Sequence, residues 1–163
     1  SRMGTALNTS PVVHNGVVYF CDTETSAWRL PRSLEDEPEE LWIAEIAGEV
    51  FASPVVHDGI LYGMDKAGYL YAIKTADGET LYEEDLVGGE PPMDVADFYP
   101  SLVLANARLL VSNSAGQTAV IQPGPEFRLL RVNERRPGSG STPAIGAGNL
   151  VIRSGSQLCF FAE

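Results

Sequence analysis

The chain has 163 residues, with 11 Lys and Arg against 22 Asp and Glu and a net charge of -11. That length suits one ordinary domain or a piece of a larger one, and 44% hydrophobic residues are enough for a packed core rather than a disordered chain. The acid excess argues against nucleic acid and against anionic membrane surfaces, both of which need a basic patch. Two cysteines, Cys21 and Cys159, cannot build a disulfide framework. No apolar run approaches the ~18 residues of a membrane-spanning helix, and residues 1–10 contain no apolar signal core. The 16 Gly and 11 Pro are high for a globular composition.

In chain order, the first element is Ser10-Pro11-Val12-Val13-His14-Asn15-Gly16-Val17-Val18-Tyr19, which reads as a strand, a tight turn and a second strand. Asn15-Gly16 has the chemistry of a two-residue type I′ hairpin, which needs positive φ at both central positions. A third strand follows over residues 26–30 and a fourth over residues 40–47. The pattern then restarts at Ser53-Pro54-Val55-Val56-His57-Asp58-Gly59-Ile60-Leu61-Tyr62, with a third strand at residues 69–73 and a fourth at residues 79–86. A third copy begins at Ser101 without the proline and glycine, and continues with strands at residues 117–121 and 127–133. A fourth begins at Thr142-Pro143 and carries Gly148 in its turn. β-Branched and aromatic residues dominate these runs, and no window holds a sustained helical period.

Starts at residues 10, 53, 101 and 142, roughly 40 to 50 residues apart, place one supersecondary unit in each repeat. Four antiparallel strands per unit predict an all-β β-propeller of four-stranded blades. The blades fall at about residues 10–51, 52–98, 99–140 and 141–163, one propeller region spanning 1–163. The last blade lacks its outer strand, which residues 1–9 could supply.

The repeat Ser-Pro-Val-Val-x-Asp-Gly-x-Leu-Tyr, followed by Gly-x-Leu-Tyr-Ala-Ile and Thr-x-Asp-Gly-Glu and best developed over residues 53–82, resembles that of the PQQ-like, quinoprotein-type β-propellers. Rings of that family have about eight blades, so four repeats are half of one, which leaves three outcomes: pairing with a second copy, being half of a longer polypeptide, or closing alone as a small ring. The resemblance implies a non-enzymatic, BamB-like bacterial scaffold for protein–protein interaction, extracytoplasmic and without a cofactor. Its partner would be another protein, or a second copy of the chain in a dimer that completes an eight-bladed ring. Two alternatives are a fragment of a quinoprotein dehydrogenase using PQQ and calcium, and a sensor propeller for a small molecule or carbohydrate. The adjacent Cys-Cys pair of the PQQ dehydrogenases has no counterpart here, which counts against the first alternative.

Candidate chemistry is sparse. His14 and His57 share one repeat position and read as solvated turn residues rather than metal ligands. The run Glu35-Asp36-Glu37-Pro38-Glu39-Glu40 lacks the glycine and ligand spacing of a calcium loop. Arg128, Arg131, Arg135 and Arg136 read as solvated charges on and beyond an outer strand, where charge blocks edge-to-edge pairing. No nucleophile triad or phosphate loop is present. The longest insertion, residues 88–99, is the candidate interaction loop, through Met93, Asp94, Asp97 and Phe98, because long loops on rigid scaffolds carry specificity. The repeated blade-turn motif is carried by Pro11, Asn15, Gly16, Pro54, Asp58, Gly59, Pro143 and Gly148.

Overall fold

The structure is a computed structural model and describes residues 8–33, 35–134, 141–146 and 148–162. Every regular element among them is a strand. The first sheet contains β1 (Val12–His14), β2 (Val17–Phe20), β3 (Glu24–Arg29) and β4 (Glu39–Glu45). The second contains β5 (Val55–His57), β6 (Ile60–Met64), β7 (Tyr69–Lys74) and β8 (Thr80–Asp85). The third contains β9 (Val103–Ala105), β10 (Arg108–Ser112), β11 (Gln117–Ile121) and β12 (Leu129–Glu134). The fourth contains β13 (Ala144–Gly146), β14 (Asn149–Ser154) and β15 (Gln157–Ala162). All four are antiparallel meanders in chain order, the signature of propeller blades. The fourth sheet has three strands among the described residues. Of residues 1–9, which the sequence offers as its outer strand, 1–7 lie outside them, as do Arg135 and Arg136.

The hairpins follow from local chemistry. Asn15 and Gly16 sit at φ 50° and 75°, and Asp58 and Gly59 at 45° and 76°, as a type I′ turn requires. The third repeat makes the same turn with Asn106 and Ala107, at 45° and 52°, so an alanine there holds a left-handed backbone. A β-bulge recurs at one structural position between third and fourth strands, after Ala27, Ala72 and Val120. Each bulge adds twist to the outer strand.

Strand alternation divides every blade into two faces. In the second blade, Leu61, Tyr71 and Ile73 point back at the first blade, where they join Tyr19, Ala27 and Trp42 in one core. Tyr62, Met64, Leu70 and Ala72 point forward and join Leu109, Val111, Ala119 and Ile121 of the third blade in another. The second blade is therefore covered on both sides, and β6 is buried along its whole length. Large and small residues pair across the inner strands, Tyr19 with Ala27 and Tyr62 with Ala72, so that facing blades interdigitate. A latch adds to the first seam. The Trp42 indole N–H donates to the Thr75 carbonyl at 2.9 Å, and the ring lies on Gly78, where a Cβ would come within 2.9 Å of it.

A hydrogen-bond chain links the blades at their first residues. The Ser10 amide donates to Ser53 Oγ at 2.9 Å, the Ser53 amide to Ser101 Oγ at 3.1 Å, and the Ser101 amide to Thr142 Oγ1 at 2.9 Å. The repeated Ser or Thr before the proline position thus has a defined task, passing one bond from each blade to the next.

Among the described residues, the two terminal blade faces are partly exposed. On the back of the first blade Val13 is 60% and Ile43 52% exposed, and on the front of the fourth Leu158 is 63% and Phe160 70% exposed. Val13, Val18 and Trp28 are register partners on the first of these faces, and Val151 and Phe160 on the second.

Candidate functional site

The turns between second and third strands and the crossings from one blade to the next gather at one end of the stack. There the backbone binds each crossing to the following turn, Lys66 N–H to the Glu49 carbonyl at 2.7 Å and Ser114 N–H to the Asp97 carbonyl at 2.9 Å. The turns are held from inside by a polar residue. Asp65, 2% exposed, accepts from the Gly68 and Tyr69 amides at 2.8 and 2.9 Å, and Asn113 accepts from the Gln117 amide at 3.0 Å. A buried carboxylate with two amide donors is satisfied and structural.

Between these turns lies an open basin of about 700 Å³, lined by Glu49, Lys66, Val95, Asp97 and Ser114 among others. Lys66 is its centre. The ammonium stands 3.9 Å from Glu49 and 3.8 Å from Asp97, and 5.9 and 5.8 Å from the ring centres of Phe51 and Tyr99. Those rings meet edge to face at 5.2 Å. Glu49 with Phe51 and Asp97 with Tyr99 occupy equivalent places in successive crossings, so one lysine bridges two repeats. Val95 stands beside them, 90% exposed.

The candidate interaction loop divides. Met93 and Phe98 are buried in the core between second and third blades. They anchor the loop instead of facing a partner, because an apolar side chain next to an unfilled seam is drawn into it. Asp94 is exposed and Asp97 half-buried, and only these two of the four reach solvent. The loop is pinned to the third blade through the Asp94 amide on Gln117 Oε1 at 2.6 Å and the Asp97 amide on Ser114 Oγ at 3.2 Å. Sequence reasoning did not single out Lys66, Glu49, Phe51 or Tyr99. The repeated acid-x-aromatic spacing, Glu49-Val50-Phe51 and Asp97-Phe98-Tyr99, was the signal available.

The blade-turn residues Asn15, Gly16, Asp58, Gly59 and Gly148 gather at the opposite end of the stack. His14 and His57 each hold a neighbour in their own turn, Asn15 at 2.9 Å and Asp58 at 3.3 Å. Among the described residues no group of three or more His, Cys, Asp or Glu side chains converges. Arg131 donates to Asn133 on the outer strand, 2.7 Å away. Cys21 and Cys159 are free thiols, and burial pushes Cys21 up to about 12, with the Asp22 carboxylate adding to it against the Thr25 and Met64 hydrogen bonds. A thiol so placed is protonated and unreactive. Burial also raises the Tyr71 phenol to about 12, helped by the Asp65 and Glu83 charges.

A quinone cofactor of the PQQ type is a flat anion that needs cationic donors, an aromatic platform and acidic metal ligands together. The basin offers one lysine already committed to two carboxylates, and its aromatic rings meet each other edge to face. These residues do not fit the group.

No protein-family model and no curated protein matches the chain. Solved structures do match its fold. BamB from Moraxella catarrhalis superposes with a TM-score of 0.71 at 10% identity, over 94% of this chain and 42% of BamB. A europium-containing methanol dehydrogenase gives 0.56 at 12% identity, over 75% of this chain and 23% of that one. The computationally designed Ika4 protein gives 0.66 at 14% identity, over 98% of this chain and 99% of that one. The chain thus has the BamB-type, quinoprotein-like propeller fold, and spans less than half the length of the two natural proteins.

Proposed function

We propose that the chain is a non-enzymatic β-propeller scaffold of BamB-like type that works by holding other proteins, in an extracytoplasmic compartment and without a cofactor. The observation that carries this is the basin around Lys66. It is broad and open, rimmed by carboxylates and by the exposed Val95. Small-molecule sites enclose most of their ligand in a concave pocket, whereas a shallow surface of mixed charge and apolar tips suits a protein face. With a net charge of -11 the chain attracts a partner bearing basic residues, and ionic strength sets the rate of their encounter. The same reading takes the bare blade faces as association surfaces, for a protein partner or for a second copy that completes an eight-bladed ring.

A photo-crosslinking residue at Val95, used in the native host, tests the reading. The expected result is one discrete protein adduct, lost on Asp97→Arg with the circular dichroism unchanged. Absence of any adduct, together with PQQ and calcium binding and dye-linked alcohol oxidation, would replace the scaffold by the dehydrogenase.

A further inference from the structure

We infer that the outer mouth of the seam between second and third blades is a binding cleft for one arginine side chain, presented by an extended segment of a partner protein. The cleft shares no lining residue with the basin around Lys66. It rests on the scaffold reading only in taking the arginine from a protein; its walls are built by this chain alone.

Three pieces of chain make those walls. β8 supplies Glu84, the crossing after it supplies Leu86, Glu90 and Met93, and the third blade supplies Phe127 and Leu129. Leu86 and Met93 are buried members of the core behind the cleft. Phe127 is fixed by Tyr82, whose ring meets it edge to face with centres 5.9 Å apart. The volume is about 80 Å³. Ligands of drug size need about 300 Å³ or more, so this space suits one slender side chain. The first seam has no such wall, because residues 46–54 join β4 to β5 where residues 86–102 join β8 to β9. The long insertion therefore makes the cleft.

Glu84 is the telling residue. Register places it opposite Leu70, on the face of the second blade that carries Tyr62, Ala72 and Tyr82 towards the third. In the first blade the same place, opposite Thr25, is Ala44, which packs into the first seam. A carboxylate at a seam position costs desolvation unless a cation meets it. Among the described residues the Glu84 and Glu90 carboxylates make no hydrogen bond and no ion pair. Asp85 beside them is already used, accepting from the Val87 and Gly88 amides at 2.9 Å.

Two free carboxylates beside apolar walls select a long cation, whose methylenes cover Met93, Phe127 and Leu129 while its head group reaches Glu84 and Glu90. Guanidinium meets this better than ammonium. It is flat and weakly hydrated, stacks on an aromatic ring, and offers a fork of donors to carboxylates. The net charge of -11 draws such a residue in. β8 is the outer strand of its sheet, so an extended backbone can lie along it while one side chain turns into the cleft.

Titration of N-acetyl-arginine methylamide into the whole chain, followed by amide and methyl NMR, tests the site. The expected result is a saturable shift of the amides of residues 84–90 and of the Met93 and Leu129 methyl groups, with Overhauser contacts from those methyls to the arginine methylenes. The uncharged citrulline analogue should bind about tenfold more weakly, and the lysine analogue more weakly than arginine. Glu84→Gln and Glu90→Gln should each weaken binding about tenfold with the remaining spectrum unchanged. Glu83→Gln removes the same charge on the opposite face of β8 and should leave binding as it is. A capped pentapeptide with arginine at its centre should bind more tightly than the single residue, because its backbone adds to the β8 edge. No saturable shift, Overhauser contacts outside the cleft, equal or tighter binding of the citrulline or lysine analogue, or indifference to both Glu substitutions would each overturn the inference. A pentapeptide with no gain would overturn its protein source. Val95 lies outside the cleft, so its adduct and this titration fail separately.

Discussion

Single residues here are governed by backbone handedness and by burial, and both give signed predictions. Ala107 occupies the turn position that Gly16, Gly59 and Gly148 fill elsewhere, at φ 52°. A left-handed L-residue costs about 1–2 kcal/mol, part of which is offset by the freedom a glycine gains in the unfolded chain. Ala107→Gly should therefore raise stability by up to about 1 kcal/mol, and Gly59→Ala should lower it by about 1 kcal/mol, both read by urea denaturation. Tyr82 buries its hydroxyl without a hydrogen-bonding partner among the described residues, so Tyr82→Phe should be neutral or stabilising by about 1 kcal/mol. Cys21 gives a pH dependence. Its thiol ionises near 9.0 when unfolded and near 12 when folded, so the fold's advantage is complete below pH 9 and is lost as pH rises towards 12. Tyr71 acts in the same direction from 10.0 upward. Denaturation midpoints should fall across that alkaline window, and fall less in Cys21→Ala. At neutral pH a thiol reagent should label Cys159 before Cys21.

At the scale of strands and turns, the seams between blades carry the energy. Trp42 joins two blades through its indole bond to Thr75 and its contact with Gly78. Trp42→Phe keeps an aromatic ring but loses the bond and part of the contact, and should cost about 2 kcal/mol by thermal or chemical unfolding. Much at this scale is legible in the amino-acid order. Asn-Gly and Asp-Gly declare their turns because the requirement for positive φ is local. Strand limits move by a residue or two, as for β4, which starts at Glu39 rather than residue 40, since the bulge after Ala27 shifts the pairing. The direction of Met93 and Phe98 is not legible, because an apolar residue in a polar loop does not say which side of the loop the core lies on. The Lys66 cluster is hidden for a different reason. Its members come from separate crossings and turns, and only the stacking of blades brings them within reach of one ammonium group.

For the whole molecule, protection should follow the number of faces a blade has covered. The second blade is packed on both, whereas the seam between third and fourth blades has no apolar core among the described residues. A Ser112–Thr118 hydroxyl pair stands in that forward face at 2.9 Å. Amide exchange should be slowest in β6 and β7 and fastest in β13 to β15. Exchange that is uniform across the blades would mean that the stack opens as one unit.

The one-way chain of hydroxyl links has a consequence for how such proteins grow. Each repeat brings one acceptor at its own first residue and one donor for the next, so a copied repeat arrives with both halves of its joint. A duplication that appended further repeats would extend the same line of links, each new blade docking on the last as Ser10, Ser53 and Ser101 do here. Length can then double with no joint having to be invented.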